Sequence, residues 1–128
     1  MDEMFEKWAE LPSLADADAK DLAEAASYIL DTKKGKDIAV LYVADKSDIT
    51  DFVVLATANS GTHVKALADE LEYRLSQRGV TPLHEDGRNV RSWQIVDFGT
   101  VMVHIFDRES REFYNLDKLY RSTAQAAE

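Results

Sequence analysis

"WQIVDFGTVMVHIF" (93–106) alternates apolar with other side chains along two arms that meet at Asp97-Phe98-Gly99-Thr100. Period-two alternation, interrupted by a glycine that can take positive φ, predicts an antiparallel hairpin. With Phe98-Gly99 as the loop, Val96 faces Val101 and Gln94 faces Val103, forming a core face. The other face pairs Ile95 with Met102 and Trp93 with His104, and Phe106 follows. A one-residue bulge would carry Trp93 and Ile95 across to the first face. Either helices cover both sides of this sheet, or the second face is meant for a partner.

The flanking sequence supplies the rest of the sheet. "DIAVLYVA" (37–44) and "DFVVLATA" (51–58) are apolar on both faces, as strands covered on at least one side are. Their connection, "DKSDIT", is short and polar, which suits antiparallel neighbours. "NSGT" then leads into "HVKALADELEYRLSQRG", where Val64, Leu67, Ala68, Leu71 and Leu75 form one helical stripe ending at Gly79. Upstream, Ser13 and Asp16 resemble a capping box and open a helix to about Thr32, with Ala15, Ala19, Leu22, Ala26, Ile29 and Leu30 on its apolar side. Met4, Phe5, Trp8 and Leu11 make a shorter stripe that packs on its own domain or on a partner. "TPLH" (81–84) reads as a short strand, and "DRESREFYN" (107–115) as an extended continuation of the hairpin. Asn115 then caps a final turn. The expected fold is α/β (α+β), a single mixed five-stranded sheet packed with helices.

With 128 residues, the chain is sized for one domain that buries roughly two thirds of its unfolded surface. Cysteine is absent, which removes disulfides, thiol catalysis and cysteine-ligated zinc together. No apolar run reaches the length of a bilayer span, and "MDEMFEKWAE" lacks the layout of a signal peptide, so a cytoplasmic location is expected. A net charge of −9 opposes a surface that tracks phosphates. Lys33, Lys34 and Lys36, and the pair Arg88 and Arg91, read as solvated loops. The overall sign suits a basic protein partner, with an attraction that salt weakens.

Chemistry is thinly represented. His63, His84 and His104 fall on three different elements without metal-type spacing. "HEDG" (84–87) offers an imidazole and carboxylates but reads as a turn. Asn59, Ser60 and Thr62 stand at a helix start, where they cap the helix or bind an anion; the glycines and lysine of a phosphate loop are missing.

Two ordered blocks carry a resemblance. "LDTKKGKDIAVLYVADKSDITDFVVLATANSGTHVKALADELE" is similar to the opening block of the ribosomal silencing factor family, also called Iojap. Asp31, Lys33, Lys34, Asp37, Ile38, Asp51, Phe52, Val54, Asn59, Ser60, Val64, Ala68 and Asp69 fall on matching positions. "EDGRNVRSWQIVDFGTVMVHIFDRESREFYNLDKLY" resembles the second block. The match runs over roughly residues 14 to 120, which expects an N-terminal helical extension (1–13), a silencing-factor domain (14–121) and a flexible tail (122–128). Ala58, His63, Thr100 and Tyr120 depart from the family's usual Gly, Gln, Asp and Trp.

The resemblance implies a fold similar to nucleotidyltransferases, without the residues that chemistry needs. It implies a translation inhibitor, not an enzyme, that binds the large ribosomal subunit through its ribosomal protein fourteen. Such binding blocks joining of the small subunit, especially under nutrient limitation. No cofactor, metal, membrane or dominant RNA contact is implied, and self-association into a homodimer is. The alternatives are a large-subunit assembly factor and an enzyme of nucleotidyltransferase type. Within this reading Trp93, Ile95, Asp97, Met102, His104 and Phe106 form the partner-binding face, an apolar centre suited to anchoring an interface.

Overall fold

Leu22, Ala23, Ala26, Ile29 and Leu30 recur at helical spacing and are all buried along α1 (Ala19–Thr32). The second stripe is buried in the same way along α2 (Gly61–Ser76). The computed structural model describes residues 7–87 and 92–119. Its strands are β1 (Lys36–Tyr42), β2 (Phe52–Ala58), β3 (His84–Asp86), β4 (Trp93–Asp97) and β5 (Val101–Asp107), and α3 (Arg108–Tyr114) follows directly. They form one sheet in the order β1-β2-β5-β4-β3. β2 and β5 run parallel, and the other neighbours are antiparallel. The expected mixed five-stranded sheet is therefore present.

Both long helices cover the same face. Their apolar stripes pack on Val54, Ala56, Val96, Val101, Val103 and Ile105. A smaller cluster forms on the opposite face, where Ala39, Leu41, Val43, Val53, Leu55 and Phe106 meet Trp93 and Leu116. The two clusters follow from alternation, since successive strand residues point to opposite sides.

The hairpin differs from expectation in register and agrees in facing. Val96 pairs with Val103 and Gln94 with Ile105, while Trp93 pairs with Phe106, Ile95 with His104 and Asp97 with Met102. The tight turn is at Gly99-Thr100, closed by the Phe98 N–H on the Val101 carbonyl (2.9 Å), with Gly99 at φ +90°. Phe98 is thereby freed from the loop and buried in the helix-side core. The slip is two residues, an even number, so no side chain changes face.

Other expectations also need correction. α1 begins at Ala19 with Asp18 as N-cap and no side-chain cap bond. Ser13 Oγ instead accepts from the Ala15 N–H and donates to the Arg78 carbonyl, tying the leading segment to the end of α2. Trp8 is buried there too, donating to the Arg74 carbonyl (2.8 Å) under the Arg78 guanidinium. Leu11 of that stripe is exposed; Met4, Phe5, Arg88, Arg91, Tyr120 and the tail 122–128 lie outside the described residues. The third strand is His84–Asp86, not 81–84. The stretch 107–115 is not extended: Asp107 Oδ1 accepts from the Ser110 N–H (2.8 Å), capping α3, and Asn115 ends that helix in the left-handed conformation. Among the described residues no helix is long and apolar enough to cross a membrane.

Candidate recognition face

Register places the six expected residues side by side on the face turned away from α1 and α2. Across β5 and β4, the rows are Met102–Asp97, His104–Ile95 and Phe106–Trp93. β3 extends two of them, setting His84 beside Asp97 and Asp86 beside Ile95.

Burial divides the six. Phe106 and His104 are buried, 0% and 4% exposed, so neither presents a surface of its own. Trp93, Ile95, Asp97 and Met102 are partly exposed. The two ends of this face are covered to different degrees. At one end Tyr114 of α3 lies over Trp93, with ring centroids 4.6 Å apart, and Phe106 stacks beneath it at 5.4 Å. Toward the turn, Ile95, Met102 and Asp97 are only partly covered. A cavity of about 420 Å³ opens beside Trp93, lined by Asp86, Gly87, Ser92, Trp93, Ile95 and Tyr114.

Tyr114 and Asp86 were not among the expected site residues. Tyr114 was hidden by reading 107–115 as extended, and Asp86 by reading "HEDG" as a turn alone. The turn is real: Asp86 Oδ1 accepts the Gly87 N–H (3.0 Å). Gly87, at φ +82°, is needed because a Cβ there would collide with the Trp93 carbonyl.

His104 is the electrostatic pivot. The Trp93 Nε1–H donates to His104 Nδ1 (3.1 Å). Indole N–H only donates, so Nδ1 must be a bare acceptor and the imidazole is neutral. Burial agrees, pushing the His104 pKa down from 6.5 to about 4. The folded value lies below the unfolded one, so stability is fully present above pH 6.5 and is lost as pH falls toward 4. This one group should cost about 2 kcal/mol by pH 5. Urea unfolding at pH 7.5 and pH 5 should show wild type losing about that much more than His104→Gln, whose side chain accepts from Trp93 without titrating. Equal losses would remove His104 as the cause.

The helix start after β2 is engaged within the chain. Ser60 Oγ accepts from the His63 N–H, and His63 Nδ1 accepts from the Asn59 N–H (2.9 Å). His63 Nε2 reaches the Lys33 carbonyl (2.9 Å), stitching α2 to the end of α1. These contacts fit the capping reading better than the anion reading. Among the described residues no three or more His, Asp or Glu side chains are grouped as metal ligands would be.

A family model described as ribosomal silencing factor during starvation matches residues 16–128. The ribosomal silencing factor of Haemophilus influenzae is 39% identical over 99 residues, covering 77% of this chain and 97% of that protein. The chloroplastic protein Iojap of Zea mays is 34% identical over 102 residues, covering 80% of this chain and 42% of that protein. A solved structure from Chromobacterium violaceum superposes with a TM-score of 0.78 at 29% identity, covering 80% of this chain and 86% of that one.

Proposed function

The chain belongs to the ribosomal silencing factor family, and from that membership we propose that it inhibits translation by occupying the large ribosomal subunit at its ribosomal protein fourteen and blocking the small subunit. The mechanism is steric and involves no reaction or cofactor. The observation that carries it is the partly uncovered apolar face of the hairpin. Trp93, Ile95 and Met102 offer a centre, and Asp86 and Asp97 give it an acidic rim. An anchor of this kind, ringed by charge, suits a basic protein surface better than nucleic acid. We place the protein in the cytoplasm, acting chiefly under nutrient limitation. A homodimer built on the same face would compete with the ribosome.

Co-sedimentation with purified subunits tests the proposal. The chain should pellet with large subunits and not with small ones. Added before small subunits, it should reduce joined ribosomes; added afterwards, it should do little. Equal binding to both subunits would overturn the model. Precursor particles in a deletion strain, with joining unaffected, would replace it with an assembly role.

A further inference from the structure

The two edges of the sheet are built differently. β3 is three residues long, and its side chains are His84, Glu85 and Asp86. A short charged strand is a blunted edge. β1 is seven residues long, and its irregularity is confined to the stretch between Lys36 and Ala39, where Asp37 takes φ +49°. Past that bulge the strand reads Ala39-Val40-Leu41-Tyr42, without lysine, proline or any charge.

The outward row of backbone groups can be assigned. The Val43 N–H donates to the Asp51 carbonyl (2.8 Å). Bonded pairs alternate along an antiparallel ladder, so Leu41 and Ala39 also point their backbone groups at β2. Val40 and Tyr42 therefore point theirs away from the sheet. Their side chains are 39% and 50% exposed. Beside them runs a cleft of about 410 Å³ lined by Glu24, Ser27, Tyr28, Asp31, Ile38 and Val40. Glu24, Tyr28 and Asp31 recur at i, i+4 and i+7, so one stripe of α1 overlooks the edge. Among the described residues, the lining has two carboxylates and no cation.

We propose that β1 is a docking edge that accepts an extended segment of a partner protein as a sixth strand, with apolar residues over Val40 and Tyr42 and basic residues toward Glu24 and Asp31. Backbone pairing supplies affinity, and alternate side chains meeting the cleft supply selectivity. A second copy is the poorer occupant. Pairing β1 with itself would bring two acidic stripes together on chains that each carry −9. The edge is separated from β5 by β2, so this site is distinct from the hairpin face and does not rest on its role.

The test is a titration of the full isotope-labelled chain with a synthetic peptide alternating lysine and valine, followed by amide NMR. Saturable shifts and slowed hydrogen exchange are expected at the Val40 and Tyr42 amides. The same peptide N-methylated at alternate residues should not bind. Glu24→Lys combined with Asp31→Lys should weaken binding about tenfold, the equivalent of 1.4 kcal/mol. Val40→Pro should abolish it while the Val43 amide stays protected, because the lost N–H faces outward. That variant should still co-sediment with large subunits, which separates this edge from the hairpin face. Undiminished binding of the methylated peptide, or shifts confined to other strands, would overturn the proposal. So would a dimer in sedimentation that Val40→Pro dissolves, since the occupant would then be a second copy.

Discussion

Ile95→Lys should weaken large-subunit binding by roughly thirty- to a thousandfold, the loss of about 2 to 4 kcal/mol expected of a central anchor. The fold should survive it. Ile95 is only partly buried and makes no side-chain hydrogen bond, and Asp86 stands directly opposite on β3, where a new cation finds a cross-strand partner. A cost of about 1 kcal/mol corresponds to a melting shift of about 3 to 6 °C. On the partner side, the same cation would face a basic protein. Trp93→Ala is a poorer probe, because Trp93 also holds His104 and stacks on Phe106 and Tyr114. Its removal should also lower folding stability and confuse the binding readout. Melting and co-sedimentation measured on the Ile95 variant decide the matter. A folded variant that still blocks subunit joining at wild-type concentration would refute the hairpin face as the ribosome contact.

Arg111→Ala should lower folding stability by about 2 kcal/mol, the loss expected when hydrogen bonds to a charged group in a partly buried ion pair are removed. Arg111 Nε and Nη2 grip both Asp117 carboxylate oxygens at 2.9 and 2.7 Å, with side chains only 11% and 26% exposed. Its Nη1 donates to the Asp37 carbonyl and to Thr57 Oγ1. One guanidinium thus joins α3, the bulge of β1, the end of β2 and the turn after Asn115. α3 is seven residues long and buries none of its own, so it is held by this clamp, by the Arg108–Asp37 ion pair (3.0 Å) and by the Tyr114–Trp93 ring contact. Hydrogen exchange in α3 should accelerate alongside the fall in denaturation midpoint. Arg111→Lys should rescue little, since an ammonium cannot reproduce the fork. Full rescue by lysine would mean that charge alone holds α3 in place.

Local patterns reached most of the architecture. Ser60 is the cap it was expected to be, and the stripe of Val64, Leu67, Ala68, Leu71 and Leu75 is buried as a unit. Alternation in 93–106 placed Trp93, Ile95, Met102, His104 and Phe106 on one face of the hairpin, as the pairing has them, but left Phe98 in the loop. Two kinds of feature escaped. α3 has no apolar stripe to announce it, and its anchoring contacts come from Asp37 and Thr57, 74 and 54 residues away. Ser13 looked like the cap of α1, yet its partner is the Arg78 carbonyl, 65 residues away.

What the sequence by itself determined is the alternation of sides along each strand and the buried stripe of α2, because strand and helix periods are local and survive any even slip in pairing; the pairing shows that no bulge carries Trp93 and Ile95 across. Only the tertiary structure decided where the hairpin turns, since Phe98 leaves the loop to fill space under α1 and α2 that no local pattern reveals. It also decided how deep each residue lies. Phe106 and His104 are sealed while Ile95 and Met102 stay partly open, because the Trp93 ring lies against both aromatic rings and Tyr114 of α3 lies over Trp93, whereas the residues nearer the turn are only partly covered.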